Sequence, residues 1–273
     1  MQKTVIKNRF MPPAAWSSQL LRASPLFSDL CQSFAISQLT DWPDIGWLNH
    51  CAMQAPVQFV DNDELAADGR YYEEYIYATK SVPTRKDNWH DFFGALIWCL
   101  FPQTKALLNR LHISEINQHG QKQRTKLRNK LTLFDECGVL ICLEPAAAVH
   151  ATLLRNHQWQ QSFVDRRADW WQSIRPVIFG HAIYEMATAP FLGLTAKTLF
   201  IEVPAGFSQW SLASTYAYLD KELLTQITKG VLQNPAQLTP LPLLGVPLWY
   251  AANQEPQFYT NEDYFRPTRQ PAG

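Results

Sequence analysis

The sequence is poor in glycine, in charge and in long apolar runs, and each shortage removes a class of function. Only 11 of 273 residues are Gly. Neither GxGxxG nor GxxxxGK[ST] occurs, so dinucleotide-binding turns and P-loops are excluded. A GxSxG elbow and a His-Glu-x-x-His zinc motif are also missing. The longest apolar run, Phe92 to Phe101, is about half of what a membrane-spanning helix needs. The first residues, MQKTVIKNRFMPPAAW, carry positive charge but no apolar stretch of the kind a signal peptide needs. Lys plus Arg and Asp plus Glu stand at 24 each, so no global field steers the chain to nucleic acid or an anionic membrane. The five Cys are odd in number and form no CxxC pair, which suits free thiols. The expectation is a soluble cytoplasmic protein with no membrane association.

What is present is apolar and aromatic. Hydrophobic residues make up 47% of the chain, with 10 Trp, 10 Tyr and 15 Phe, enough for a sizeable core. The 18 Pro predict many fixed turns. Helices are expected in 17–39, with Ser24 capping at Pro25, then over 87–100 with Asp87 or Asn88 as N-cap, over 102–112, through 146–188 with breaks near His157 and Pro176, and over 211–232. On the 102–112 helix, Leu107, Leu108 and Leu111 form the apolar stripe, and Lys105, Asn109 and Arg110 the polar side. Strands are expected at 57–60, in the aromatic run 71–79, and at 196–203. Residues 125–143 read as a hairpin turning at Asp135-Glu136-Cys137-Gly138. The fold class is therefore α+β. It is a mainly helical single domain over 1–273 with a small antiparallel sheet, an N-terminal arm over 1–16, and an irregular Pro- and aromatic-rich tail that wraps the body over 234–273.

Several blocks occur together: PTRKDNWHDFFGALIWCLFPQTKALLNRLH, LTLFDECG, FGHAIYE and LPLLGVPLW, followed by AN, P, FY and FRP. In that order they resemble an uncharacterised bacterial family, domain of unknown function 3025. The resemblance spans about residues 70–267. Gly94 departs from it, since the family pattern has Asn there. The resemblance implies one fold unit, points to the polar residues of these blocks, and supplies no reaction.

Three clusters in these blocks can carry chemistry. Asn88, His90 and Asp91 lie at the start of an apolar helix, where Asn88 can cap and Asp91 can reach back as in a capping box. His90 has no such duty. His181 and Glu185 are four apart and share a helix face, and Gly180 before them permits close approach of another segment. Asp135 and Glu136 form the third cluster. Two His and several carboxylates from separate elements match the ligand set of a Zn, Mn or Fe enzyme. The candidate function is a metal-dependent hydrolase acting on a small or phosphate-containing substrate. In it His90, His181 and Glu185 bind the metal, Asp91 or Asp135 acts as base, and Arg85, Asn88 and Lys105 bind substrate. Cys137 follows two acids, which would raise its pKa and make it a poor nucleophile. The alternative is a non-catalytic binding protein. Lys122, Arg124, Lys126, Arg128 and Lys130 alternate, and on a strand they would share one face for RNA or a protein partner. A plain solvent-facing edge strand has the same pattern.

Overall fold

Asn88 begins the helix on which much of the core is assembled, because its side-chain oxygen accepts from the N–H of Asp91. Beyond it the run WHDFFGALIWCL is apolar on nearly every side, so the helix lies inside the protein rather than along its surface. The computed structural model describes residues 10–234 and 237–268. In chain order the elements are α1 (Ser18–Ala23), α2 (Ser28–Phe34), α3 (Ile45–Cys51), β1 (Gln58–Asp61), α4 (Asn62–Asp68), α5 (Tyr72–Thr79), β2 (Ser81–Thr84), α6 (Trp89–Leu100) and α7 (Pro102–His119). They continue as α8 (Lys126–Cys137), β3 (Gly138–Leu143), α9 (Val149–Arg155), β4 (Ile174–Ile178), α10 (His181–Ala187), β5 (Thr195–Glu202), α11 (Leu212–Thr228) and β6 (Thr239–Pro242).

The four-stranded sheet runs β4-β3-β5-β6, and β1 and β2 form a separate pair. All six residues of β3 are buried, as suits a strand covered on both faces. The α+β class and the helical majority are as expected, but the pairing is mixed rather than antiparallel. β3 runs parallel to β5, and β1 parallel to β2, while β4 and β6 pair antiparallel. One hydrophobic cluster extends from Leu21 to Phe265.

Three expected elements are corrected. Residues 71–79 form α5, not a strand. Tyr72, Tyr75, Ile76 and Thr79 repeat at helical spacing, and Glu73 and Glu74 occupy the favourable first turn. The hairpin over 125–143 is absent. Thr125 caps α8, which runs to Cys137 and passes directly into β3. The segment 146–188 is not helical throughout, because Ile174–Ile178 is an edge strand, where Pro176 is tolerated. The basic alternation consequently presents no strand face. Lys126, Arg128 and Lys130 sit on helix α8, and Arg128 is 1% exposed.

The expected arm lies partly outside the described residues, which begin at Phe10. Trp16 stacks on Trp89 at 5.0 Å, and the indole N–H of Trp89 donates to the carbonyl of Pro13. The expected tail is not irregular throughout: Thr239–Pro242 joins the sheet as β6, and beyond it the described residues form short 3-10 turns and bends in which Trp249, Tyr259, Tyr264 and Phe265 are buried. All five Cys are free. Among the described residues, no helix is long and apolar enough to cross a membrane.

Candidate metal centre

His90 stands in the first turn of α6, and His181 is the first residue of α10. The two helices pack against each other, and Gly94, one turn after His90, leaves room for the His181 ring. A β-carbon at Gly94 would lie 3.6 Å from Cδ2 of His181. The imidazoles meet edge to face, with Nε2 to Nε2 at 3.0 Å.

The third group arrives from α8. Gly180 is pressed so tightly onto the end of that helix that a β-carbon would come within 2.4 Å of the Glu136 carbonyl. Its N–H donates to the Gly138 carbonyl at 2.8 Å. The close approach expected of Gly180 is therefore made to the Glu136–Gly138 backbone, and it brings the Glu136 carboxylate beside both rings. Oε2 of Glu136 lies 3.7 Å from Nε2 of His90 and 3.5 Å from Nε2 of His181. Three atoms bound to one tetrahedral cation at ~2.1 Å lie roughly 3.4 Å apart. The observed 3.0, 3.5 and 3.7 Å therefore outline one face of such a site, and these three residues are the group that can hold an ion.

Glu185 is placed differently from the expectation. It shares a face of α10 with His181, but its Oε2 is 2.9 Å from Nδ1 of His90, on the far side of the ring from Nε2. It orients His90, while Glu136 faces the shared centre. With an ionised Glu185 that contact calls for a proton on Nδ1 of His90. Two bare nitrogens would repel at the 3.0 Å between the facing Nε2 atoms, a contact suited to an N–H donated by one ring or to a shared cation.

The electrostatics are strongly asymmetric. Burial alone would lower the pKa of His90, but the Glu185 hydrogen bond and the charges of Glu136 and Glu185 outweigh it, and the net direction is upward. His181, 8% exposed, is pulled down to about 3, first by burial, with Lys105 and His90 adding to it. Its Nδ1 is buried without a hydrogen-bond partner of good geometry. Burial raises the pKa of Glu136 against the pull of His90.

The other expected site residues have defined places. The Asp91 carboxylate accepts from the backbone N–H of Arg85 at 2.8 Å and from its guanidinium at 2.9 and 2.7 Å. It reaches back past the cap to Arg85, and its acceptor capacity is largely used. Asn88 serves as the α6 cap and lines a separate pocket that neither His reaches. Lys105 pairs with Asp135. Burial pushes the pKa of Asp135 up, but Lys105 and His181 reverse that, so it is held low.

A cleft of about 510 Å³ opens onto the two His. Arg85, His90, Asp91, Lys105, Asp135 and His181 line it, so six of the eight expected site residues converge on one space, with Glu136 among them. Of its opposite wall, only Lys105 was expected from the sequence. Lys105, Asn109 and His112 are 7%, 6% and 5% exposed, although the first two read as the polar side of their helix. Their spacing of four and three puts all three on one face of α7, and that polar stripe faces the cleft together with Tyr72 and Arg124. The burial of an acid pair's lysine inside an amphipathic pattern leaves no trace in periodicity.

A second polar network joins His150 to Ser162 at 2.8 Å and to Asp169 at 2.9 Å. Ser162 and His150 are both 0% exposed, so the triad offers no nucleophile to solvent and serves as a buried structural link.

No curated protein and no solved structure matches the chain. A family described as Protein of unknown function (DUF3025) matches residues 57–269, a span that holds His90, Glu136, His181, Glu185 and every residue of the cleft named above, and the chain belongs to that family.

Proposed function

We propose that the protein is a metal-dependent hydrolase whose divalent cation, Zn, Mn or Fe, is held by His90, His181 and Glu136. The observation that carries this reading is the mutual spacing of the three ligand atoms, 3.0, 3.5 and 3.7 Å, against the roughly 3.4 Å of a tetrahedral facet. Three protein ligands beside a cleft leave a position for substrate or water, the pattern of a catalytic rather than a structural site. The Glu185 carboxylate on Nδ1 of His90 is the outer support that metal-binding His residues normally have. The acidic groups that retain a proton on His90 would equally favour a cation in its place.

A divalent cation there would polarise a substrate oxygen and acidify water. Of the two carboxylates named from the sequence, both of which line the cleft, Asp135 has the freer oxygens: it accepts one hydrogen bond, from Lys105, whereas Asp91 accepts three from Arg85, and the low pKa of Asp135 keeps it ionised but makes it a weak base. Lys105 supplies positive charge at the cleft wall, and a small, phosphate-containing molecule suits the space.

The test is metal content. Protein purified without chelator is expected to carry one divalent ion per chain, and His90→Ala, His181→Ala and Glu136→Ala to lose it while remaining folded. Hydrolysis of a chromogenic ester that carries a separate phosphate group should disappear on chelation and return on adding the metal. A wild-type protein that takes up none of Zn, Mn or Fe at micromolar concentration would end the reading.

A further inference from the structure

The far wall of the cleft has an electrostatic imbalance that the metal centre does not use. Three cations line the cleft: Arg85, Lys105 and Arg124. Arg85 is tied to Asp91 and Lys105 to Asp135. Arg124 bonds only neutral oxygens, donating from Nε to Asn129 Oδ1 at 3.3 Å and from Nη2 to Thr132 Oγ1 at 2.8 Å. Among the described residues no carboxylate is in ion-pair range of it.

Behind it, Arg128 is 1% exposed and gives its Nη1 protons to the carbonyls of Gln121 and Gln123, while its Nε is buried without a partner. It too has no acidic partner among the described residues. A buried guanidinium without a counter-charge is costly. His112 lines the same wall, 5% exposed, with its Nδ1 buried and unpartnered. Burial first, then Arg128, Arg124 and Lys105, outweigh the opposing charge of Asp135 and keep it neutral, with its pKa down at about 4. Of the acids lining the cleft there, Asp135 is paired with Lys105, and Glu73 accepts from Asn109 at 2.7 Å and is itself pushed towards its neutral form by burial. An unpaired guanidinium, Arg124, and an imidazole with a free ring nitrogen thus line one wall of the cleft, beside the charge of Arg128, which lies over the Tyr71 ring and has no ion-pair partner among the described residues.

We propose that this wall is an oxyanion subsite, in which Arg124 and Nδ1 of His112, backed by the charge of Arg128, bind the phosphate group of a small substrate whose other end reaches the His90–His181 centre. Arg suits this task because its planar donor fork matches phosphate oxygens. Neutral His112 can present an N–H to the same group. That the bound molecule is a substrate rests on the metal-centre reading. The anion contact itself does not.

The experiment is a titration of the full-length protein with inorganic phosphate at constant ionic strength, exchanging it against chloride, followed by calorimetry and thermal stability. Five proteins are compared: wild type, Arg124→Met, His112→Asn, Lys126→Met and His90→Ala. Lys126 is an exposed neighbour that does not line the cleft, and serves as the charge control. Phosphate is expected to bind wild type, K126M and H90A alike, and to bind R124M roughly ten- to a hundredfold more weakly, as for loss of a charged hydrogen bond. Because Arg124 is exposed, R124M should fold even where H112N does not, so it decides the result. Equal binding by R124M and wild type overturns the subsite. So does an equal loss in K126M and R124M, which would mean general charge alone. Binding lost in H90A but kept in R124M places phosphate on the metal centre and also overturns it, leaving the metal reading intact. R124-dependent binding in a protein that takes up no metal would support the subsite while the metal reading fails.

Discussion

Glu136 and Glu185 both touch His90, and their different positions give the sharpest test of the centre. Glu136 lies on the Nε2 side, 3.7 Å away and shared with His181, while Glu185 lies on the Nδ1 side at 2.9 Å. If the cation sits among the two Nε2 atoms and Oε2 of Glu136, removing Glu136 deletes one of three ligands. Removing Glu185 leaves all three but frees the ring of His90. Loss of such an outer support typically costs 10–100-fold in metal affinity, which converts to about 1.4–2.7 kcal/mol. Glu185→Ala is therefore expected to fall in that range and Glu136→Ala to exceed it. A second effect works against the first. The Glu185 hydrogen bond and charge oppose burial in setting the raised pKa of His90. Their removal makes His90 easier to deprotonate, and a proton competes less with the metal. Measuring the affinity over a series of pH values, and comparing the two proteins where it no longer changes with pH, separates the two. The assay is competition for Zn against a chromogenic chelator at fixed ionic strength. If E185A binds as tightly as wild type, the orienting role is wrong. If E136A is unchanged while E185A fails to bind, Glu185 is itself the ligand and the facet described here is not the metal site.

Three further outcomes follow from other contacts. His112 has a folded-state pKa of about 4 against an ordinary 6.5, so its contribution is fully present above about pH 6.5 and is lost as pH falls towards 4, with a limiting slope of about 1.4 kcal/mol per pH unit. His181, with its pKa down at about 3, adds to the slope in the same window, so urea unfolding from pH 7 to pH 4.5 should show a shallower slope in His112→Asn than in wild type, the difference being the His112 contribution. Gly180→Ala forces a methyl group to within 2.4 Å of the Glu136 carbonyl. It should cost about 1–3 kcal/mol as overpacking and weaken metal uptake by moving Glu136, whereas Gly94→Ala, with its nearest contact at 3.6 Å, should cost little in denaturant melts. Asp220 is 2% exposed and its carboxylate accepts from the N–H groups of Gln103 and Thr104 at 3.0 and 2.8 Å. Asp220→Ala should then cost about 1.5–3 kcal/mol and loosen the start of α7, read as faster amide exchange there.

How much of this was legible in the sequence depends on whether the signal was local. The cap at Asn88, the apolar helix after it, the break at Pro102 and the cap at Ser24 are short-range physics, and they formed as read. The 71–79 segment went wrong because its aromatics favour strands only when they pack on a pleated surface, and here Tyr75 and Ile76 pack in a helix beside α7. The same error in kind moved Asp135-Glu136 from a hairpin tip to the last turn of α8. That shift decides the site. At a tip both acids would face solvent, whereas in the final turn of a helix clamped by Gly180 they diverge, Asp135 to Lys105 and Glu136 to the two His. The spacing of His181 and Glu185 showed that they share a face, and both do reach His90. An imidazole, however, has two nitrogens on opposite edges, and residue spacing carries no information on which edge a partner meets. Only the crossing of α6 over α10 determines that Glu185 takes Nδ1 and leaves Nε2 for His181 and Glu136. A carboxylate expected as a ligand thus becomes the support of one, and the ligand comes from the helix that was read as a turn.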